Sequence, residues 1–514
     1  MTGFSKIGLH LDLRVQVPPL PALRRMAQEA AELGVNTLIV EWEASFPFDR
    51  HAVISGPLAY TPDEVREFLC DCAHWGLDVI PLQQCFGHVE YILRHERYAG
   101  LRESESDLCQ VCPCHTEEAL VVFRDIFQEI GALHESPYFH IGGDETYLLG
   151  DCPRCQKRVQ TEGKSGLYVT YFKRLAEEVI RQGRRPLLWI DMLLKYPEAA
   201  AEMPGECVFV DWNYGWPVDR FGDFAGLSAL PFEFWGAVAM RSAPDNHSSH
   251  AWVAHLQNLR DYVPVARSMG FRGLIMTSWS TSGVYGYDWE NVGRPLALHP
   301  VRRVTPHAGL KILMKAFAQA AFCDAPLDGR AFLLRYAKEQ FGLTEAEAEN
   351  FREALLLSDR STDQTTFLAG APSDAPKARL LMEQLQPQRR EGEFERYRHL
   401  VLKTEHYERV LKLENEVQSE RYKMGSRKLF AKRAQGLLEE GEKLADRFEK
   451  LYAGELYPTE LRQESDYHLR RIRSLVERTA GLRPPARPAT EPAGPPIEFG
   501  AALSRQCELV SPSV

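Results

Sequence analysis

The sequence predicts an α/β fold: a (β/α)8 TIM barrel over residues 1–298, followed by a mostly α-helical C-terminal domain over residues 299–481. Three observations predict it. Eight short apolar runs are spread over the first part of the chain, separated by polar loops and amphipathic stretches. Helix start and stop signals fall between those runs. After Leu298 convincing strand-like runs cease and helical patterning takes over, as in 309–322 and 397–451.

The eight runs are 6–13, 36–43, 78–84, 138–145, 186–192, 207–214, 232–240 and 273–280. They are apolar without clean alternation, as expected of parallel strands buried on both faces. Thr61-Pro62-Asp63-Glu64 reads as a capping box with proline at the first helical position. Thr116 with Glu117 and Glu118 marks a second helix start. Gly34, Gly76, Gly183 and Gly270 each follow a helical stretch and precede a strand, which fits the left-handed residue that ends a helix. A doubly wound open sheet is the alternative, but no glycine-rich phosphate loop follows the first run. The segment 193–206 is short for a full crossover helix, so the repeat is imperfect there. Residues 482–514 form a proline-rich tail, poor in apolar groups and expected to be flexible.

The net charge of −10 argues against nucleic acid or an anionic membrane as partner, since both need a basic surface. It says nothing about neutral sugars. No leader-like segment and no run of ~18 apolar residues is evident, which makes the cytoplasm the expected compartment. The 397–451 stretch reads either as a homodimer interface or as intramolecular packing; its heptads are too irregular to choose.

The sharpest local feature is Tyr138-Phe139-His140-Ile141-Gly142-Gly143-Asp144-Glu145, an apolar strand ending in two glycines and two adjacent carboxylates. In such barrels the C-terminal strand ends carry the active site. Neighbouring residues on a regular strand point to opposite faces, so Asp144 and Glu145 share a pocket only where the pleat breaks, and Gly142-Gly143 permits that break. Two carboxylates in one pocket are expected to raise each other's pKa. A solvated acidic turn is the plainer reading of the same residues.

HIGGDE resembles the H-x-G-G-D-E signature of glycoside hydrolase family 20, the β-N-acetylhexosaminidases. LHLDLRVQVPP, LIVEWEASFPF, YTPDEVREFL and DVIPLQQCFGHVEYILRHERYAGLRE, in this order, extend the resemblance to the hexosaminidase D-like branch. The resemblance implies an exo-acting, retaining enzyme that releases terminal β-linked GalNAc or GlcNAc from glycans or glycoconjugates, with a tilt towards GalNAc. It implies substrate-assisted catalysis, an exception to the two-carboxylate retaining scheme. The substrate's 2-acetamido oxygen attacks the anomeric carbon and forms an oxazolinium, with no cofactor and no catalytic metal. Glu145 would protonate the leaving oxygen and then activate water; Asp144 would orient the acetamido N–H.

The resemblance also implies substrate-binding roles for His88, Trp189, Tyr214 and Trp279, with Arg14 gripping sugar hydroxyls. Glu41 or Glu43 is expected to back His88. Asp191 ends the fifth run, and His140 either holds its strand or contacts substrate directly. Trp212, Trp235 and Glu233 are further candidates. Two departures leave GalNAc-versus-GlcNAc preference open. Arg14 comes two residues after Asp12 where many family members have a spacing of three, and Ser280 stands where many have a glutamate.

Cys109-x-x-Cys112 and Cys152-x-x-Cys155 could together form a tetrahedral structural zinc site. Free thiols are preferred, because the resemblance carries no such metal. A metal-dependent hydrolase has little support without an H-E-x-x-H pattern. The rival class is a non-catalytic N-acetylhexosamine-binding barrel whose helical domain serves interaction; the presence of both Asp144 and Glu145 argues against it.

Overall fold

The computed structural model describes residues 3–481 apart from 218–219, 221, 223, 225, 227–228, 282, 360–373 and 420–426. The proline-rich 482–514 expectation lies outside the described residues. Eight parallel strands close into a barrel in sequence order. They are β1 (Lys6–Asp12), β2 (Thr37–Glu41), β3 (Asp78–Leu82), β4 (Tyr138–His140), β5 (Arg185–Trp189), β6 (Val208–Trp212), β7 (Glu233–Arg241) and β8 (Gly273–Ser278). Closure is made by β1 against β8, where Lys6 faces Gly273.

The lack of alternation has its cause in the two layers the strands bury. Ile39, Ile80, Leu187, Val208, Trp235 and Ile275 pack inside the barrel. Their strand neighbours Leu38, Val40, Val79 and Leu188 belong to the larger core under the surrounding helices. Both sets are apolar, so no polar face marks the period.

The local signals act as read. Thr61 and Glu64 complete a capping box at the helix Pro62–His74. Gly34, Gly76, Gly183 and Gly270 all have left-handed φ between 75° and 86°. Thr116 is the first residue of the helix Thr116–Leu133 rather than its cap; its hydroxyl donates to the Pro113 carbonyl. The short β5–β6 crossover is made of two small helices, Asp191–Lys195 and Pro197–Ala200.

Two features depart from the sequence reading. An antiparallel hairpin, β9 (Tyr285–Asn291) and β10 (Arg294–Pro300), follows the barrel. Its strands are largely solvent-facing, with Val292 and Leu296 exposed, so no buried face announces them. The 397–451 stretch is two helices, Glu391–Gln418 and Arg427–Leu451. The first is docked within the chain: the Tyr397 hydroxyl accepts the Ile312 N–H at 3.0 Å, and the Thr404 hydroxyl donates to the Ser248 carbonyl beyond β7 at 2.6 Å. Among the described residues no helix is long and apolar enough to cross a membrane.

The strand that matters most is the shortest. β4 stops at His140, five residues before the expected end at Glu145, because Gly142 (φ 68°) and Gly143 (φ 93°) turn left-handed. A Cβ on Gly143 would fall 2.1 Å from the Phe172 ring, and one on Gly142 would fall 1.7 Å from Gln84 Oε1. Gly143→Ala therefore combines backbone strain with overpacking and is expected to cost about 1–3 kcal/mol or more. A lowered thermal midpoint with loss of turnover is the expected result; a midpoint and activity equal to wild type would contradict this account of the turn.

Candidate active site

The residues after β4 are held by hydrogen bonds from three directions. His140 is fully buried and its Nδ1 accepts the Gly142 N–H at 3.0 Å. Burial pushes its pKa down to about 3, so it is a neutral imidazole with its proton on Nε2. The Tyr168 hydroxyl donates to the Gly143 carbonyl at 3.2 Å, and the Glu145 N–H donates to Asp191 Oδ2 at 3.1 Å. Glu145 itself sits at φ 49°, a costly backbone for a non-glycine residue. The outcome is that consecutive carboxylates reach one partner: His88 Nε2 lies 3.4 Å from Asp144 Oδ2 and 3.2 Å from Glu145 Oε2.

His88 follows β3 and comes this close because Gly87 lets the two chain segments touch; a Cβ there would meet the Asp144 carbonyl at 2.5 Å. Its Nδ1 donates to the Gly283 carbonyl at 2.9 Å, so both ring nitrogens face acceptors. Burial opposes the imidazolium, but Asp144 and Glu145 outweigh it and hold the His88 pKa well above the usual value. For Asp144 the balance runs the other way. Burial favours its neutral form, His88 overrides that, and the carboxyl lies below its ordinary range. Mutual raising was expected of the pair; for Asp144 the intervening imidazolium reverses it. The raised carboxyl is Asp191, pushed up to about 7 by burial, with Lys195 opposing and Asp144 and Glu145 adding to the rise.

These groups line one wall of a cavity of about 250 Å³ at the C-terminal end of the barrel. Trp189, Trp212, Tyr214 and Trp279 line it as well. The Trp279 Nε1–H donates to the Tyr214 hydroxyl at 2.7 Å, and the Trp212 Nε1–H to Asp191 Oδ1 at 3.3 Å. Arg14 enters from the end of β1. Asp12 grips its guanidinium through two contacts, 3.0 and 3.2 Å, and aims it over the Trp279 ring at 5.2 Å. Asp144 Oδ1 is buried and has no hydrogen-bond partner among the described residues. An orphaned carboxylate oxygen is rare in a folded protein and calls for a ligand or water donor.

Of the residues singled out from the sequence, Arg14, His88, Asp144, Glu145, Trp189, Asp191, Tyr214 and Trp279 line the cavity together. Glu41 and His140 lie outside its lining. Glu41 and Glu43 are not the partners of His88: Glu41 is committed to His10 Nε2 at 3.0 Å, with Gln84 Nε2 at 3.4 Å and Arg14 Nε at 3.6 Å. Trp235 and Glu233 begin β7, bond to each other at 2.8 Å and are absent from the lining. Ser280 turns to Asp12, donating from its hydroxyl at 2.9 Å. Tyr147, Trp216 and Arg302 line the cavity without having been expected. The aromatic spacing W-N-Y-G-W was a signal for Trp216; Arg302 carried none, since it arrives from beyond the hairpin and is fixed by the Ser242, Asp245 and Thr281 carbonyls. Of the four thiols named for a possible zinc site, Cys112, Cys152 and Cys155 meet, but Cys109 does not and Cys114 takes its place. The Cys109 backbone is tied elsewhere, its N–H to Asp107 Oδ1 at 3.0 Å and its carbonyl to the Val89 N–H at 3.1 Å.

Residues 13–216 match the family description "Glycosyl hydrolase family 20, catalytic domain". Hexosaminidase D of Bos taurus is 32% identical over 292 residues, covering 53% of this chain and 83% of that protein. Hexosaminidase D of Homo sapiens is 31% identical over 296 residues, covering 54% of this chain and 60% of that protein. Among solved structures, the β-N-acetylhexosaminidase from Bacteroides fragilis NCTC 9343 superposes with a TM-score of 0.45 at 18% identity, over 55% of this chain and 62% of that one. With the bovine relative covered over most of its length, the chain belongs to glycoside hydrolase family 20, in its hexosaminidase D-like branch, and is a glycoside hydrolase of the β-N-acetylhexosaminidase kind.

Proposed function

We propose that the enzyme is exo-acting and retaining, and that it releases terminal β-linked GalNAc or GlcNAc from cytoplasmic glycans or glycoconjugates by substrate-assisted catalysis. The observation that carries this reading is the division of labour around His88: Asp144 is held ionised, with Oδ1 unpartnered, beside Glu145 on the same cavity wall. An ionised carboxylate with a vacant acceptor suits an acetamido N–H. It fixes the amide so that its oxygen reaches the anomeric carbon, and it stabilises the positive charge that grows on nitrogen as the oxazolinium closes. Glu145 delivers its proton to the leaving oxygen, then takes one from the water that opens the ring. The Tyr214 hydroxyl accepts from Trp279 and has Thr277 as a second neighbour; turned to the cavity, it donates to the acetamido oxygen. The tryptophans supply apolar faces for the sugar and its acetyl methyl. Arg14, aimed by Asp12, presents donors to ring hydroxyls.

Wild type is expected to hydrolyse aryl β-GalNAc and aryl β-GlcNAc glycosides. Glu145→Gln is expected to lower kcat by about 100- to 10,000-fold, the range for losing a general acid–base, with little change in KM. A wild type inactive on both glycosides that still binds either sugar would favour the non-catalytic binding barrel.

The His88 charge predicts a pH signature. Its folded pKa is raised above the unfolded value of about 6.5. Its contribution to stability is therefore complete below pH 6.5 and is lost as the pH rises through the folded value. The difference in unfolding free energy between wild type and His88→Gln is expected to be largest in mild acid and to shrink in alkali. A difference that grows with pH would contradict a charged His88.

A further inference from the structure

We propose that Cys112, Cys114, Cys152 and Cys155 hold one structural Zn²⁺ ion. The proposal does not depend on the glycosidase reading. All four sulfurs lie within 4.8 Å of one another. Cys112 Sγ is 3.6 Å from both Cys152 Sγ and Cys155 Sγ, and Cys114 Sγ is 3.4 Å from Cys155 Sγ. A tetrahedron with Zn–S bonds of about 2.3 Å has edges of roughly 3.8 Å, close to these separations. Two disulfides would instead draw the sulfurs into exclusive pairs about 2.05 Å apart. Here Cys155 is shared between Cys112 and Cys114, the branching of a cluster around a centre.

The surroundings fit a closed, non-catalytic site. Cys112-Pro113-Cys114 enters a short 3₁₀ turn (Pro113–His115), and Cys152 caps the helix Pro153–Arg181, with its sulfur accepting the Cys155 N–H at 3.2 Å. Glu103 stands behind the cluster: its Oε1 accepts the Cys152 N–H at 2.8 Å and its Oε2 accepts the Cys155 S–H at 3.3 Å. Binding Zn²⁺ displaces the four thiol protons, that one included, to solvent. Four sulfur ligands leave no open position for water or substrate, so the ion's role is to fasten chain to chain. It joins the loop that leaves β3 to the segment just after Glu145, alongside the bond from the Leu148 N–H to Gln110 Oε1 at 2.9 Å.

The test is metal content and thiol reactivity of the full-length protein purified with Zn²⁺ in the medium. One equivalent of zinc per chain is expected. Cys109→Ser should retain it, and Cys114→Ser and Cys155→Ser should lose it. Should the cluster variants fail to fold, Co²⁺ exchanged into wild type is expected to give the intense visible absorption of a tetrahedral tetrathiolate. Metal-free wild type that takes up neither ion, a Cys112–Cys155 disulfide found by mass mapping, or loss of zinc in Cys109→Ser with retention in Cys114→Ser would each overturn the proposal.

Discussion

The site depends on a single break in strand periodicity. On an unbroken β4 the side chains of Asp144 and Glu145 would lie on opposite sides of the sheet. Left-handed Gly142 and Gly143 end the strand at His140 and swing both acids to the cavity wall. The conformation is enforced from outside as well as permitted from within. Phe172 and Gln84 occupy the space a side chain would need at the two glycines, and Gly87 lets the His88 segment press against Asp144. Glu145 and His88 both carry positive φ, at a cost of order 1–3 kcal/mol each, and hydrogen bonds donated to Asp191 and to the Gly283 carbonyl hold them there.

Once the acids share a wall, their charges have to be balanced within one cavity. One imidazolium serves two carboxylates, and its second nitrogen is anchored on a carbonyl, so the charge cannot drift from the site. The same economy recurs beside it, where Asp12 neutralises Arg14 and receives Ser280. Beneath, His140 stays neutral, holds the Gly142 N–H and packs against Trp189. The result is a cavity in which His88 is held charged and Asp144 ionised, with Asp144 Oδ1 left without a partner among the described residues.

Much of this was legible in the sequence because it is local. Helix caps, terminating glycines and eight apolar runs are set by residues a few positions apart, and all eight runs became barrel strands. The Gly-Gly break was legible for the same reason. Neighbour choice across the barrel was not. Glu41 ends the strand before His88's, yet the register places it beside His10 and Arg14. Cys114 rather than Cys109 meets Cys155: Cys114 sits in the short turn Pro113–His115 while the Cys109 backbone is held by Asp107 and Val89, which spacing alone does not reveal. The hairpin β9–β10 escaped because it buries no continuous apolar face. Arg302 escaped because its place at the site is fixed by three carbonyls from distant loops.

The central claim is that Asp144 and Glu145 face one saccharide that supplies its own nucleophile. The most direct measurement is kcat/KM along a series of aryl glycosides whose acetamido methyl carries none, one, two or three fluorines. Fluorine weakens the amide oxygen as a nucleophile while leaving the glycosidic bond and leaving group unchanged. A steep fall in log kcat/KM with each added fluorine is the result this account predicts. A rate indifferent to fluorination would mean that the acetamido oxygen takes no part, and the assignment of Asp144 would go with it.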